Sequence, residues 1–252
     1  MSGSMNLNGI RGEPYGWRAR IGYTSPPLTS EVFPYEFYKV VPDGVSLVIT
    51  TLAITVRSTE EVDQSYDISM KAAEQMAEAG CDAIVLGGVP INLAKGVENA
   101  AAMITELEAK LGIPVATSAS AQKEAFKLLG CKKLVVAHPY KDTDNHRFDD
   151  YAQKFGAQVL GTRAFGANFN RIGGIPDDAA LNMARDLMKA HPDADTIMFP
   201  SPHWPVINAI QPLEEEFGVT VMSSIQAILW QALRLAGIKD SISGYGQLFE
   251  AH

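Results

Sequence analysis

One stretch of this chain is written twice. Leu111-Gly112-Ile113-Pro114-Val115-Ala116-Thr117-Ser118-Ala119-Ser120-Ala121 recurs in outline as Phe217-Gly218-Val219-Thr220-Val221-Met222-Ser223-Ser224-Ile225-Gln226-Ala227, and each copy continues into a helical pattern closed by Leu-X-Gly. Asp82–Gly88 is echoed by Asp195–Ser201 and Pro26 by Pro139, both 113 residues further on. Solenoid repeats have periods of about 20 to 50 residues, so a repeat this long signals a duplicated domain. The 252 residues therefore divide into two similar halves, read as 18–116 with 225–252 and as 117–224, after an extension at 1–17.

Within each half short apolar runs alternate with amphipathic stretches. Strands are expected at Arg18–Tyr23, Val45–Ile54, Asp82–Leu86, Ile113–Ala116, Leu134–Ala137, Val159–Ala164 and from Thr196 to Phe199. Thr24-Ser25-Pro26-Pro27 should end the first strand, with Thr29 or Ser30 capping a helix that carries Glu31 in its first turn. Ser58 and Glu61 have the spacing of a capping box, and Gly166–Gly174 reads as a long polar loop. Strand and helix alternating throughout is the pattern of an α/β fold with parallel sheets.

Ile197, Met198 and Phe199 show no polar alternation, as in a strand covered on both faces, and Ser201, His203 and Trp204 follow at once. Ligands of open parallel sheets bind beyond the carboxyl ends of the strands, which puts these residues, and Gly87-Gly88 after the third strand, where a ligand would lie. If the halves face each other, Gly88 and Ser201 are the two lips of one cleft. Turn chemistry alone accounts for the prolines around Ser201 but not for Ser, His and Trp together.

The net charge of −8 with no large basic cluster argues against nucleic-acid and anionic-membrane surfaces and leaves small molecules as partners. No apolar run reaches the roughly 20 residues of a membrane span, and the start, Met-Ser-Gly-Ser-Met-Asn, lacks the pattern of a signal peptide. A cytoplasmic location is expected. The scattered histidines and the run Asp142–His146 do not form a metal set, and neither Gly-Gly pair has phosphate-loop spacing. No metal and no organic cofactor is expected.

Ser25-Pro26-Pro27, Gly88, the run Ala137–Arg147 with Tyr140 and Asn145, the block Asp195–Ser224, and the ending Leu235-Ala236-Gly237 through Gly244-Tyr245-Gly246-Gln247-Leu248-Phe249 together resemble the Asp/Glu racemase superfamily. Within it the chain is similar to the arylmalonate decarboxylase and maleate isomerase group. The resemblance implies two pseudo-symmetric, aspartate racemase-like α/β domains with the site between them. It implies carbon-acid chemistry on a small carboxylic acid without a cofactor, and a homodimer or higher homo-oligomer. Such enzymes place one or two cysteines at the lips of the cleft, at positions that fall here on Gly88 and Ser201. Cys81 and Cys131 precede strands and belong at the opposite ends, as small buried hydrophobes.

The departures continue in the donors. Val89, Pro90 and Pro202 stand where N–H and hydroxyl groups would hold a carboxylate, and proline has no N–H. The remaining candidates are Thr24, Ser25, Tyr140 and Ser201 hydroxyls, N–H groups of Val89, Ser201 and His203, and the Asn168 amide, with Pro26 and Asn145 beside them. Tyr140 matches a position that binds the substrate carboxylate in the group. His203, with an ordinary pKa near 6.5, can carry the proton that cysteine carries in the relatives. His138 holds the equivalent place after the fifth strand. Trp204 and Phe169 either wall the pocket or pack in the core. A hydrolase or hydratase built on Ser201 and His203, and a non-catalytic binding protein, are the other readings.

Overall fold

The computed structural model describes residues 15–55, 58–88 and 96–252. Among these residues eight strands form two parallel sheets with identical winding. In the first, β1 (Ala19–Pro27), β2 (Val45–Ile54), β3 (Ala83–Leu86) and β4 (Val115–Thr117) lie in the order β2-β1-β3-β4. In the second, β5 (Lys133–His138), β6 (Gln158–Ala164), β7 (Thr196–Phe199) and β8 (Thr220–Ser223) lie in the order β6-β5-β7-β8. Every strand pairing is parallel. The helices are α1 (Val32–Val40), α2 (Thr59–Glu78), α3 (Gly96–Leu111), α4 (Ser118–Leu129), α5 (His146–Lys154), α6 (Ala179–Ala190), α7 (Ile207–Phe217), α8 (Ser224–Leu235) and α9 (Gln247–Ala251). The fold is the duplicated α/β architecture expected from the repeat.

The repeated stretch explains how strand passes to helix without a loop. Thr117 Oγ1 accepts from the Ser120 N–H at 3.1 Å and Ser120 Oγ accepts from the Thr117 N–H at 2.9 Å. Ser223 Oγ and Gln226 Oε1 make the same reciprocal pair at 3.1 and 3.4 Å. Each pair satisfies two helix N–H groups that would otherwise lack partners. Gly130 and Gly218 stop α4 and α7 in the left-handed region, at φ 66° and 64°. Helices α4 and α8 pack on each other, and α8 lies against β3 and β4 of the first sheet as well as β8 of its own.

Other long-range ties join the ends of the chain. Arg18 makes a bidentate pair with Asp240 at 2.9 and 2.7 Å, and the Tyr245 hydroxyl donates to the Lys39 carbonyl at 2.8 Å. Helix α1 buries Phe33, Glu36, Phe37 and Val40 along one stripe while Tyr35 and Tyr38 face solvent. Glu36 Oε1 accepts the N–H groups of Val206 and Ile207 at 2.9 and 3.0 Å. A carboxylate from the first half thus caps a helix of the second, where free N–H groups and the helix dipole favour negative charge.

Three local expectations are corrected. Strand β1 does not end at Tyr23 but carries Thr24–Pro27 as strand residues, because two β1 residues beyond Ser25 meet three of β2 and pairing resumes at Pro27 and Ile54. The extra β2 residue includes Ala53 at φ 58°, a bulge that bends the strand and re-aims Ile54. Helix α1 starts one residue later than read, with Glu31 at its N-cap and no side-chain cap from Thr29 or Ser30. The loop 166–174 is two-thirds helical, since Phe169–Gly174 forms a 3-10 helix. Ser58 does cap α2, accepting from the Glu61 N–H at 3.2 Å, while the Glu61 carboxylate accepts from the Thr55 N–H.

Candidate active site

The bulge sets one wall of a cavity of about 260 Å³. Pro27–Val32 at the entry to α1 and Ile54-Thr55 at the end of β2 form its first side, Phe169, Asn170, Ile172 and Gly173 of the 3-10 turn its second, and His203 closes it. The site therefore draws on strand ends of the first sheet and loops following β6 and β7 of the second. Gly173 has no Cβ because the Glu31 carboxylate occupies that space. The volume suits a small molecule, and the wall mixes apolar side chains with the polar Thr29, Ser30, Glu31, Thr55, Asn170 and His203.

His203 is the polar group of most chemical consequence. The residue is 9% exposed, and neither ring nitrogen has a hydrogen-bond partner. Burial lowers its pKa to about 4, so the imidazole is neutral at pH 7. Ser201, two residues earlier, is fully buried with an unpartnered Oγ. The two side chains therefore make no bond to each other, and a serine nucleophile with histidine base is not assembled. Glu36 holds the far end of this loop through Val206 and Ile207; burial raises its carboxyl to about 7, against the opposing pull of those N–H groups and of Lys39.

The other expected residues separate into those at the strand ends and those engaged elsewhere. Thr24 Oγ1 accepts from the Gly87 N–H at 2.9 Å, and the Gly88 N–H donates to Ser118 Oγ at 3.4 Å, so both fix the end of β3. Ser25 is fully buried with an unpartnered hydroxyl. Pro26 is buried in β1 beside the cavity-lining Pro27. Tyr140 is half-buried and stacks on His138 at 5.8 Å. Val89 and Pro90 lie outside the described residues.

His138 is fully buried, bonded through Nε2 to Asn145 Oδ1 at 2.7 Å and packed on Phe148. It is a core histidine whose Nε2 engages Asn145 while its Nδ1 has no partner, and neither residue lines the cavity. Trp204 is likewise core, edge-on to Phe199 at 5.7 Å with no exposure. Asn168 is exposed ahead of the 3-10 turn, and Asn170 lines the cavity instead. Cys81 and Cys131 sit at the amino ends of β3 and β5, buried, and desolvation raises both thiols to about 11. Among the described residues no cluster of His, Cys, Asp or Glu is placed to hold a metal ion, and no helix is long and apolar enough to cross a membrane.

A family model described as arylmalonate decarboxylase matches residues 21–249. Arylmalonate decarboxylase of Bordetella bronchiseptica is 26% identical over 232 residues, which is 91% of this chain and 96% of that protein. Maleate isomerase of Geobacillus stearothermophilus is 23% identical over 195 residues, 75% of this chain and 77% of that one. A liganded double variant of arylmalonate decarboxylase superimposes with a TM-score of 0.82 at 24% identity, covering 93% of this chain and 100% of that one. The maleate isomerase of Pseudomonas putida S16 gives 0.81 at 19% identity, covering 92% and 98%. With the family match spanning both sheets and nearly every helix, the chain belongs to the arylmalonate decarboxylase family and is an enzyme of lyase or isomerase type.

Proposed function

We propose that the chain catalyses carbon-acid chemistry on a small carboxylic acid without cofactor or cysteine, through an enediolate whose proton is handled by His203. In a decarboxylation the bond to the leaving carboxylate breaks, CO2 departs and the electron pair remains in an enediolate of the surviving carboxylate. One proton delivered to the α-carbon then gives the monocarboxylate. Loss of the α-proton from a monocarboxylate gives the same intermediate, and return of a proton to its other face inverts the α-carbon. The observation that carries the reading is His203, a buried imidazole at the cavity wall whose two nitrogens have no partner, in a chain whose two thiols lie at the other ends of their strands.

The low pKa of His203 fits this role once the substrate is counted. Unliganded, roughly one imidazole in a thousand is protonated at pH 7 if its pKa is about 4. An anionic substrate beside the ring favours the charged form, so substrate and proton bind together. The proton arrives with the carboxylate that needs it. Tyr140, Ser25 and Ser201, at the strand ends and outside the cavity lining, supply hydroxyls to the enediolate in this reading, a donor being worth about 3 to 4 kcal/mol where one has been removed from such a site.

The test is NMR in D2O with arylmalonates and α-aryl monocarboxylates as substrates, on the wild type and His203→Gln. The expected result is turnover with one solvent deuterium at the α-carbon, lost or reduced at least about a hundredfold in the variant. Equal turnover by the variant removes His203 as proton carrier, and incorporation of water oxygen in place of deuterium would identify a hydrolase or hydratase.

A further inference from the structure

Tyr23 is a buried phenol that the catalytic assignment above does not use. It has no exposure, and its ring stacks on Phe33 at 3.7 Å with an interplanar angle of 11°. In the sheet it stands level with Val85 of β3 and Ile49 of β2. Its hydroxyl nonetheless reaches Gly87, coming 2.8 Å from where a Cβ on that glycine would sit. The ring therefore leans two residues towards the carboxyl ends of the strands, where the family site lies. The hydroxyl has no hydrogen-bond partner. A phenylalanine would keep the stacking without stranding a polar atom, so the oxygen is a cost to the fold unless something else bonds it.

Three observations say what that partner is. Tyr140, in the loop after β5 of the second sheet, lies within electrostatic reach of Tyr23, so phenols from the two halves are neighbours. Ser25, on the same face of β1 two residues further on, carries a second unpartnered buried hydroxyl. Pro202 presents no N–H at the facing strand end. Donors thus converge from β1 and from the loop after β5, and a group that accepts from several hydroxyls at once is a carboxylate or enediolate.

We propose that the Tyr23 hydroxyl donates to the substrate carboxylate and to the enediolate formed from it, opposite Tyr140. The assignment rests on the carbon-acid reading. Burial and the neighbouring Tyr140 raise the Tyr23 pKa well above the ordinary value, so the phenol stays protonated and acts only as donor. It replaces hydrogen bonds that Pro202 cannot give.

The test compares wild type, Tyr23→Phe and Tyr140→Phe. Phenylmalonate turnover is followed by NMR, phenylacetate binding by calorimetry, and the unliganded melting temperature by circular dichroism. Tyr23→Phe should weaken phenylacetate binding and lower kcat/KM about ten- to hundredfold each, with kcat falling too, because a charged acceptor loses one donor. Its melting temperature should stay equal or rise, since an unpaired hydroxyl has been removed. Wild-type behaviour of Tyr23→Phe in binding and turnover overturns the assignment while leaving the carbon-acid reading intact. A lowered melting temperature that accounts for the lost activity would make Tyr23 a packing residue only. A wild type that binds and turns over no carboxylate sinks both the reading and the assignment.

Discussion

Glu36 and His203 should pull the pH dependence of stability in opposite directions. The Glu36 carboxyl rises from 4.5 to about 7 in the fold, so the folded state holds a proton that the unfolded state releases. That contribution is complete below pH 4.5 and is lost as pH rises through 4.5 to 7. His203 falls from 6.5 to about 4, so the unfolded state binds the proton first. Its contribution is complete above pH 6.5 and is lost as pH falls towards 4. Each spans 2.5 pH units, which at 1.36 kcal/mol per unit is about 3 kcal/mol. Between about pH 4.5 and 6.5 the two slopes nearly cancel. Glu36→Gln keeps an acceptor for Val206 and Ile207 but cannot titrate, whereas His203→Gln removes the imidazole. Urea denaturation of all three proteins from pH 4.5 to 7.5 gives the differences directly. Relative to wild type, Glu36→Gln should gain about 3 kcal/mol as pH rises across its window, and His203→Gln should lose about as much. Differences that are flat, or that share one sign, would refute the assignment of these two groups as opposed buried titrants.

Other outcomes follow from the same geometry. Cys81→Ala with Cys131→Ala should leave turnover within about twofold of wild type, and native thiols should react with a disulfide reagent far more slowly than unfolded ones, because thiolate is scarce at a pKa of about 11. Binding of phenylacetate at pH 7 should take up a fraction of a proton, about half if the carboxylate raises the imidazole by roughly three pH units, seen as a dependence of calorimetric heat on buffer ionisation enthalpy that vanishes in His203→Gln. Gly87→Ala should cost at least about 2 kcal/mol in urea denaturation, since its Cβ would run into the Thr24 carbonyl and the Tyr23 hydroxyl.

Much of the fold was legible in the sequence because its signals are local. Apolar runs marked the strands, glycines marked helix ends, and the repeated stretch foretold two matching helices. The cavity was harder to see. Its first wall depends on a bulge at Ala53, where an ordinary residue adopts φ 58°, and its second on a 3-10 turn that turns Asn170 inward in place of Asn168. Neither follows from a period of 2 or 3.6. Trp204 and His138 were placed at the right strand ends, yet core packing consumed them. Glu36 did leave a signal that went unread, since it falls on the stripe with Phe33, Phe37 and Val40. Tyr23 left none, because a tyrosine inside a buried strand is ordinary until its hydroxyl proves to lack a partner.

The placement of α8 bears on how the chain is made. All four strands of the first sheet lie before residue 118, but the helix resting on β3 and β4 begins at Ser224, and Arg18 waits for Asp240. During synthesis the earliest sheet is therefore complete in strands while part of its apolar surface is still bare. It stays so until more than a hundred further residues have left the ribosome. Exposed sheet of that kind is what chaperones bind and what aggregates nucleate on. A chain cut short within α8 would be held in that state permanently, with an intact set of strands and no cover for them.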